Sequence, residues 1–179
     1  MSEDKYLLKL LRHGDSRALR RLYEKYRTDL FTVALSLIND VHAAEDCLQD
    51  VFARLAEGAA DMEIRRNLKG YLISSVANRA RDRLRRKTRS LDKTEGFGCS
   101  TGTTDPVKIL IDREESARIF NMLMRLPYDQ REVFVLHVQG ELKFREIAEL
   151  QNVSIKTAQS RYQYGIEKLQ SLLEKDNTK

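Results

Sequence analysis

LKFREIAELQNVSIKTAQSRYQYGIEKL, residues 142–169, contains two short helical patterns separated by a polar turn. Phe144, Ile147, Ala148 and Leu150 give the first helix one apolar face, and Gln151-Asn152 breaks it, because Asn tolerates the left-handed conformation that closes a helix. Val153 plugs the turn. Ser154 is placed to cap a second helix that turns Ala158, Tyr162 and Ile166 inward and leaves Lys156, Gln159, Ser160, Gln163 and Tyr164 outward. This is the spacing of a helix-turn-helix, and the outward residues are types that reach base edges or phosphates. An ordinary helical hairpin with a solvated face has the same apolar pattern, so the rest of the chain must discriminate.

Charge does so. Between Arg65 and Arg89 ten basic residues stand against one acid, Asp82, although the 179-residue chain carries a net charge of only +5. Surfaces normally intersperse their signs, so a block this one-sided points to a polyanion, of which nucleic acid is the commonest. At 41% hydrophobic residues with no Trp, the composition fits a mostly helical protein with real cores. Cys47 lies in an apolar helical pattern and Cys99 in a polar stretch, so no disulfide framework is expected. His13, His42 and His137 have no metal-ligand neighbours at the usual spacing, and neither a P-loop nor a nucleophile elbow is present. We therefore expect no metal, no cofactor and no enzymatic activity. With no signal sequence and no apolar run approaching the ~18 residues of a membrane span, the expected location is the cytoplasm.

The organisation is all-α: two small helical domains joined by a flexible linker, the second a helix-turn-helix. The first domain is expected over 1–88, the linker over 89–112 and the second domain over 113–179. Leu7 to Leu11 start one helix, Ala18 to Tyr26 continue an amphipathic face, and the apolar run from Leu30 to Ile38 reads as the core element. Asp40 is the expected cap of the next helix, which buries Val41, Ala44, Leu48, Val51, Phe52 and Leu55 and exposes Glu45, Asp46, Gln49 and Asp50. A long basic helix follows from about Gly70 to Lys87, with Ile73, Val76, Ala77 and Leu84 inward and Arg79, Arg83 and Arg86 on a polar side. Such arginines can hold a single-stranded backbone and stack on bases. In the linker, SLDKTEGFGCSTGTTDP, apolar periodicity disappears.

Four segments in order resemble the bacterial sigma factors of the extracytoplasmic-function group, the initiation subunits of RNA polymerase that keep only two domains. GDSRALRRLYEKYRTDLFTVAL (14–35) is similar to the group's opening helix. DVHAAEDCLQDVFARL (40–55) resembles its polymerase-binding helix, and NLKGYLISSVANRARDRLRRKTR (67–89) its promoter-melting helix, with Asn78, Asp82, Arg85 and Arg86 at the family's spacing. Residues 126–169 resemble the second domain through Leu126, Pro127 and Arg131, then Glu146 to Ala148, then Thr157, Ser160 and Arg161.

The resemblance implies a dissociable subunit that docks on core RNA polymerase through Asp46, Gln49, Asp50 and Phe52. It implies minus-ten recognition by Tyr71, Asn78, Arg79, Arg83 and Arg86, with Tyr71 where the family commonly has Trp. Minus-thirty-five recognition would fall to Lys143, Lys156, Thr157, Gln159, Ser160, Arg161, Gln163 and Tyr164. Arg161 has a second reading, a tie into the fold through an acid such as Glu146. Promoter DNA and core polymerase are the implied partners and an anti-sigma factor a further candidate; the free protein is expected to be a monomer with no membrane insertion. The rival reading is an autonomous helix-turn-helix regulator, which leaves the acidic and basic helices without a purpose.

Overall fold

Eight helices appear in the computed structural model, which describes residues 3–58, 67–91 and 114–177; Cys99 and most of the expected linker lie outside them. The first four helices are α1 (Glu3–Arg12), α2 (Ser16–Ile38), α3 (Val41–Gly58) and α4 (Leu68–Leu91). The others are α5 (Glu114–Met124), α6 (Tyr128–Val138), α7 (Phe144–Gln151) and α8 (Ile155–Asn177). No strand occurs among the described residues.

Local chemistry sets the boundaries. Asp15 caps α2 by accepting the Arg17 backbone N–H at 2.9 Å, and Asn39, left-handed at φ 56°, ends it by donating its N–H to the Leu35 carbonyl. Asp40 then caps α3, its Oδ1 accepting the Ala43 N–H at 2.8 Å, as the sequence indicates. Asn67 accepts the Lys69 N–H at 3.1 Å, so α4 begins two residues before Gly70. It also runs past Lys87 to Leu91, taking the first residues assigned to the linker into the helix.

The hub is α2, whose Leu22, Leu30, Val33, Ala34 and Leu37 are fully buried. One side of it holds α1 through Lys25, whose Nζ bridges Glu3 and Asp4 at 2.7 Å each, and through the Tyr26 hydroxyl, which donates to Asp4 at 2.6 Å. The other side packs on α3 and α4. All six apolar positions expected to face inward on α3 are buried or half-buried, and the four polar ones are exposed.

The two helical units are not separate bodies. Val133, Val135, Leu136, Leu142 and Ile147 belong to the same buried cluster as the residues of α1–α4. At one crossing a Cβ added to Gly140 would meet Ile73 Cγ2 at 2.8 Å, so the α6–α7 turn can approach α4 only because Gly stands there. An apolar cleft of about 390 Å³ remains in the seam between α2 and the α5–α6 pair.

Candidate nucleic-acid interface

The acidic edge of α3 and the basic face of α4 lie side by side. Arg83 pairs with Asp46 at 3.1 Å and Arg79 with Asp50 at 3.0 Å. Gln49 is exposed beside them, as expected, and Arg86 projects outward. Phe52 does not join this edge: it is 5% exposed and packs edge-on against Tyr23 with ring centroids 5.0 Å apart. Its place is under the surface, supporting α3, because positions 48, 51, 52 and 55 form the helix's inward stripe.

Tyr71, Asn78 and Arg79 converge on a cavity of about 130 Å³, with Ser75 and Asp82 from the same helix and Val51 and Arg54 from α3. The Tyr71 ring is partly exposed, and Ser75 is turned away to donate to the Tyr71 carbonyl at 2.9 Å. Arg79 Nε is buried and has no hydrogen-bond partner among the described residues. A buried donor left unmatched is costly. The cavity thus combines an aromatic face, an exposed amide, the Arg79 side chain and the Asp82 carboxylate, group types that can stack on and read the edge of an unpaired base.

In the C-terminal unit the helix-turn-helix is built as its residues indicate. Asn152 closes α7 in the left-handed conformation at φ 53°, and Val153 donates its N–H back to the Ala148 carbonyl. Ser154 Oγ accepts the Thr157 N–H at 3.0 Å and caps α8. Glu146, three positions into α7, accepts the Lys143 N–H at 2.9 Å. Phe134, His137, Phe144 and Tyr162 form one aromatic cluster, with centroids 4.3–6.0 Å apart, that fixes α8 against α6 and α7. Lys143, Lys156, Thr157, Gln159, Ser160, Gln163 and Tyr164 are all exposed, Tyr164 to 59%.

Arg161 is the exception. Its guanidinium is half-buried between Asp129 at 2.8 Å and Gln151 Oε1 at 2.7 Å. The tie into the fold is real, but the acid is Asp129 and not Glu146, which is occupied as the α7 cap.

Sequence reasoning passed over Arg81 and Glu132. At about 100° per residue Arg81 falls ~80° from Ile73, the border of the apolar stripe rather than its polar side. Its Nη2 donates to Glu132 Oε1 at 2.8 Å and its Nη1 to the Leu150 carbonyl at 2.6 Å. Glu132 is 1% exposed. A lone acid beside the apolar Val133–Leu136 run was the available signal: a carboxylate in that register needs a partner from elsewhere.

The described residues contain no group of three or more His, Cys, Asp or Glu side chains able to hold a metal, and no helix long and apolar enough to cross a membrane. Cys47 is a buried thiol pushed up to about 11 by its burial.

Family comparison agrees with this geometry. The profile of sigma-70 region 2 matches residues 22–90 and that of sigma-70 region 4 matches residues 116–169. The chain is 28% identical to the ECF RNA polymerase sigma factor SigW of Bacillus subtilis, covering 93% of this chain and 94% of that protein. Its fold is similar to that of CnrH in complex with the cytosolic domain of CnrY, with TM-score 0.67, 24% identity and coverage of 98% and 99% of the two chains. It is also similar to RpoE in complex with the anti-sigma factor NepR from Bartonella quintana, with TM-score 0.65, 21% identity and coverage of 87% and 98%. An autonomous regulator has no need of the region 2 unit, so that rival is not favoured. With both sigma-70 regions present in order, the chain belongs to the extracytoplasmic-function group of RNA polymerase sigma factors, which direct polymerase to particular promoters.

Proposed function

We propose that this sigma factor divides its work between the two faces described above and performs no chemistry of its own. The edge formed by Asp46, Gln49 and Asp50 docks on core polymerase, with Phe52 holding α3 in place from beneath. Tyr71, Asn78, Arg79, Arg83 and Arg86 take the melted minus-ten strand. Lys143, Lys156, Gln159, Ser160, Gln163 and Tyr164 meet the minus-thirty-five duplex, while Thr157 and Arg161 position α8. The domain division near 88 and 113 serves this split, and the chain acts as a monomer in the cytoplasm, where polymerase works.

The observation that carries the reading is the cavity beside Asn78, whose lining brings together an aromatic ring, an exposed amide and the Arg79 side chain. Binding there offsets part of the cost of unpairing and flipping a base, a few kcal/mol. Regulation by an anti-sigma partner is supported by the two similar folds, one described in complex with the cytosolic domain of CnrY and the other with the anti-sigma factor NepR.

The deciding experiment is reconstitution with core polymerase on genomic DNA, followed by sequencing of transcript 5′ ends. Start sites sharing two upstream elements are expected. Transcripts no different from those of core polymerase alone would refute the reading.

A further inference from the structure

The apolar edge of α8 runs one residue further than the surface it packs on. At about 100° per residue, Ile155, Tyr162 and Ile166 fall within about 40° of one another along that edge. Tyr162 and Ile166 are half-buried, Tyr162 inside the aromatic cluster with Phe134, His137 and Phe144. Ile155, the first residue of the helix, is instead 46% exposed. A single apolar residue on a surface needs no explanation by itself. This one stands at the end of the helix that follows the Asn152 turn, and in a helix-turn-helix that end supplies the residues that meet base edges.

The direction of Ile155 is set twice over. Ser154 Oγ accepts the Thr157 N–H at 3.0 Å and shares a hydrogen bond with the Thr157 hydroxyl at 2.8 Å, which holds the first turn. About 120° round the helix, Arg161 is clamped by Asp129 at 2.8 Å and Gln151 at 2.7 Å, so α8 is not free to roll about its axis. Isoleucine in a helix has one strongly preferred χ1, so little rotamer freedom remains to be lost on contact. One turn further on and about 40° round stands Gln159, exposed, its side-chain amide without a hydrogen bond among the described residues. A stiff aliphatic branch and an open amide therefore share one edge.

That combination has a counterpart in the major groove. Thymine alone presents an apolar group there, its C5-methyl, while adenine offers N6 and N7 to an amide. Side chains at i and i+4 start about 6 Å apart, which covers no more than two base steps of ~3.4 Å. We propose that Ile155 packs on the 5-methyl group of a thymine within two base pairs of the adenine read by Gln159, and so determines specificity in the upstream element. The inference rests on the reading of α8 as the helix that meets this element. The contact removes exposed apolar surface from water on both sides, and cytosine, with an amino donor and no methyl, forfeits it.

The test uses the full chain reconstituted with core polymerase on a promoter duplex from which it initiates. Each thymine of the upstream element, on either strand, is replaced singly by deoxyuridine, which removes the 5-methyl and alters no hydrogen-bonding group. Promoter binding is read by titration of the holoenzyme. At one thymine the replacement should weaken wild-type binding about fourfold, the loss expected for one buried methyl, and should leave Ile155→Ala unaffected. Ile155→Val keeps the branch at Cβ and should retain the sensitivity. Equal losses in the wild type and Ile155→Ala at every thymine, or no loss at any, would overturn the contact. Gln159→Ala on a randomised upstream element keeps two failures apart. If it relaxes preference at a base while no thymine couples to Ile155, α8 reads DNA without Ile155 and only this inference falls. If it relaxes nothing and no thymine couples to Ile155, α8 is not the reading helix and both fall.

Discussion

Arg83 Nη2 of α4 lies 3.1 Å from Asp46 Oδ2 of α3, so a base assigned to DNA and an acid assigned to polymerase neutralise one another in the free chain. Arg79 and Asp50 repeat the arrangement one turn away. Pairs this exposed contribute about 0–1 kcal/mol each, so they are readily traded for outside partners. Removing them should therefore change binding and not folding.

On that basis the Asp46→Lys, Asp50→Lys double variant should bind core polymerase at least tenfold more weakly while keeping its helical content and its melting temperature within a few degrees. Arg83→Ala, which breaks one pair from the other side, should leave core binding intact. Titration of labelled core polymerase checks both, and undiminished binding by the double variant removes the docking assignment.

Asn78 and Arg83 should separate on DNA. Asn78→Ala takes an amide from the cavity and should relax preference at one minus-ten position. Arg83→Ala should weaken all promoters about equally and reduce the salt slope by about 0.7–1, the value of one lost phosphate contact. Promoter-library transcription at two salt concentrations separates these outcomes; a sequence preference untouched by Asn78→Ala would leave that residue a structural role only.

The folding units and their faces were legible because helical periodicity is a local signal. Asp40, Ser154 and Asn152 announce their caps, and the α3 stripe sorts inward from outward without exception. What the chain does not announce is pairing between distant helices. Arg81 and Glu132 are 51 residues apart, and each looks locally like an ordinary charge at the edge of a stripe. Arg161 reads from the sequence as a DNA contact or as a tie to an acid such as Glu146, and the acid that holds it is Asp129, in the first turn of α6. Seam contacts depend on how two units dock, which no single-helix pattern encodes.

Stability should fall on the alkaline side, with Cys47 and Tyr26 as two of the contributors. Burial raises the Cys47 thiol from 9.0 to about 11, and burial together with its hydrogen bond to Asp4 raises the Tyr26 phenol from 10.0 to about 12. Both shifts favour the protonated native form. Their contributions are complete below the ordinary values and are lost as pH rises through 9–11 for Cys47 and 10–12 for Tyr26. Urea midpoints measured from pH 8 to 11.5 should decline accordingly. Cys47→Ala should flatten the decline between pH 9 and 10. Tyr26→Phe should reduce but not abolish the decline above pH 10, where the Tyr128 phenol, raised by burial, and the Lys25 ammonium, raised by its bonds to Asp4 and Glu3, also contribute; an identical slope in both variants would contradict the assignment.

Gln159 and Gln163 stand one turn apart on the exposed face of α8, but they are not equally free. Gln163 Nε2 donates to Glu167 at 3.2 Å, whereas the side-chain amide of Gln159 makes no hydrogen bond among the described residues. An amide can pair bidentately with adenine, a contact worth ~1–3 kcal/mol against a wrong base, and Gln163 must first give up its link to Glu167. Gln159 should therefore carry the stronger adenine preference. A guanidinium suits the O6 and N7 of guanine instead, so Gln159→Arg should move preference at that base from A toward G. Gln163→Ala should cost less than Gln159→Ala, and Glu167→Ala should raise the contribution of Gln163 by releasing its amide. Transcription over a randomised upstream element reads all four variants at once. If none of the three glutamine variants changes the preferred sequence, α8 is not the reading surface.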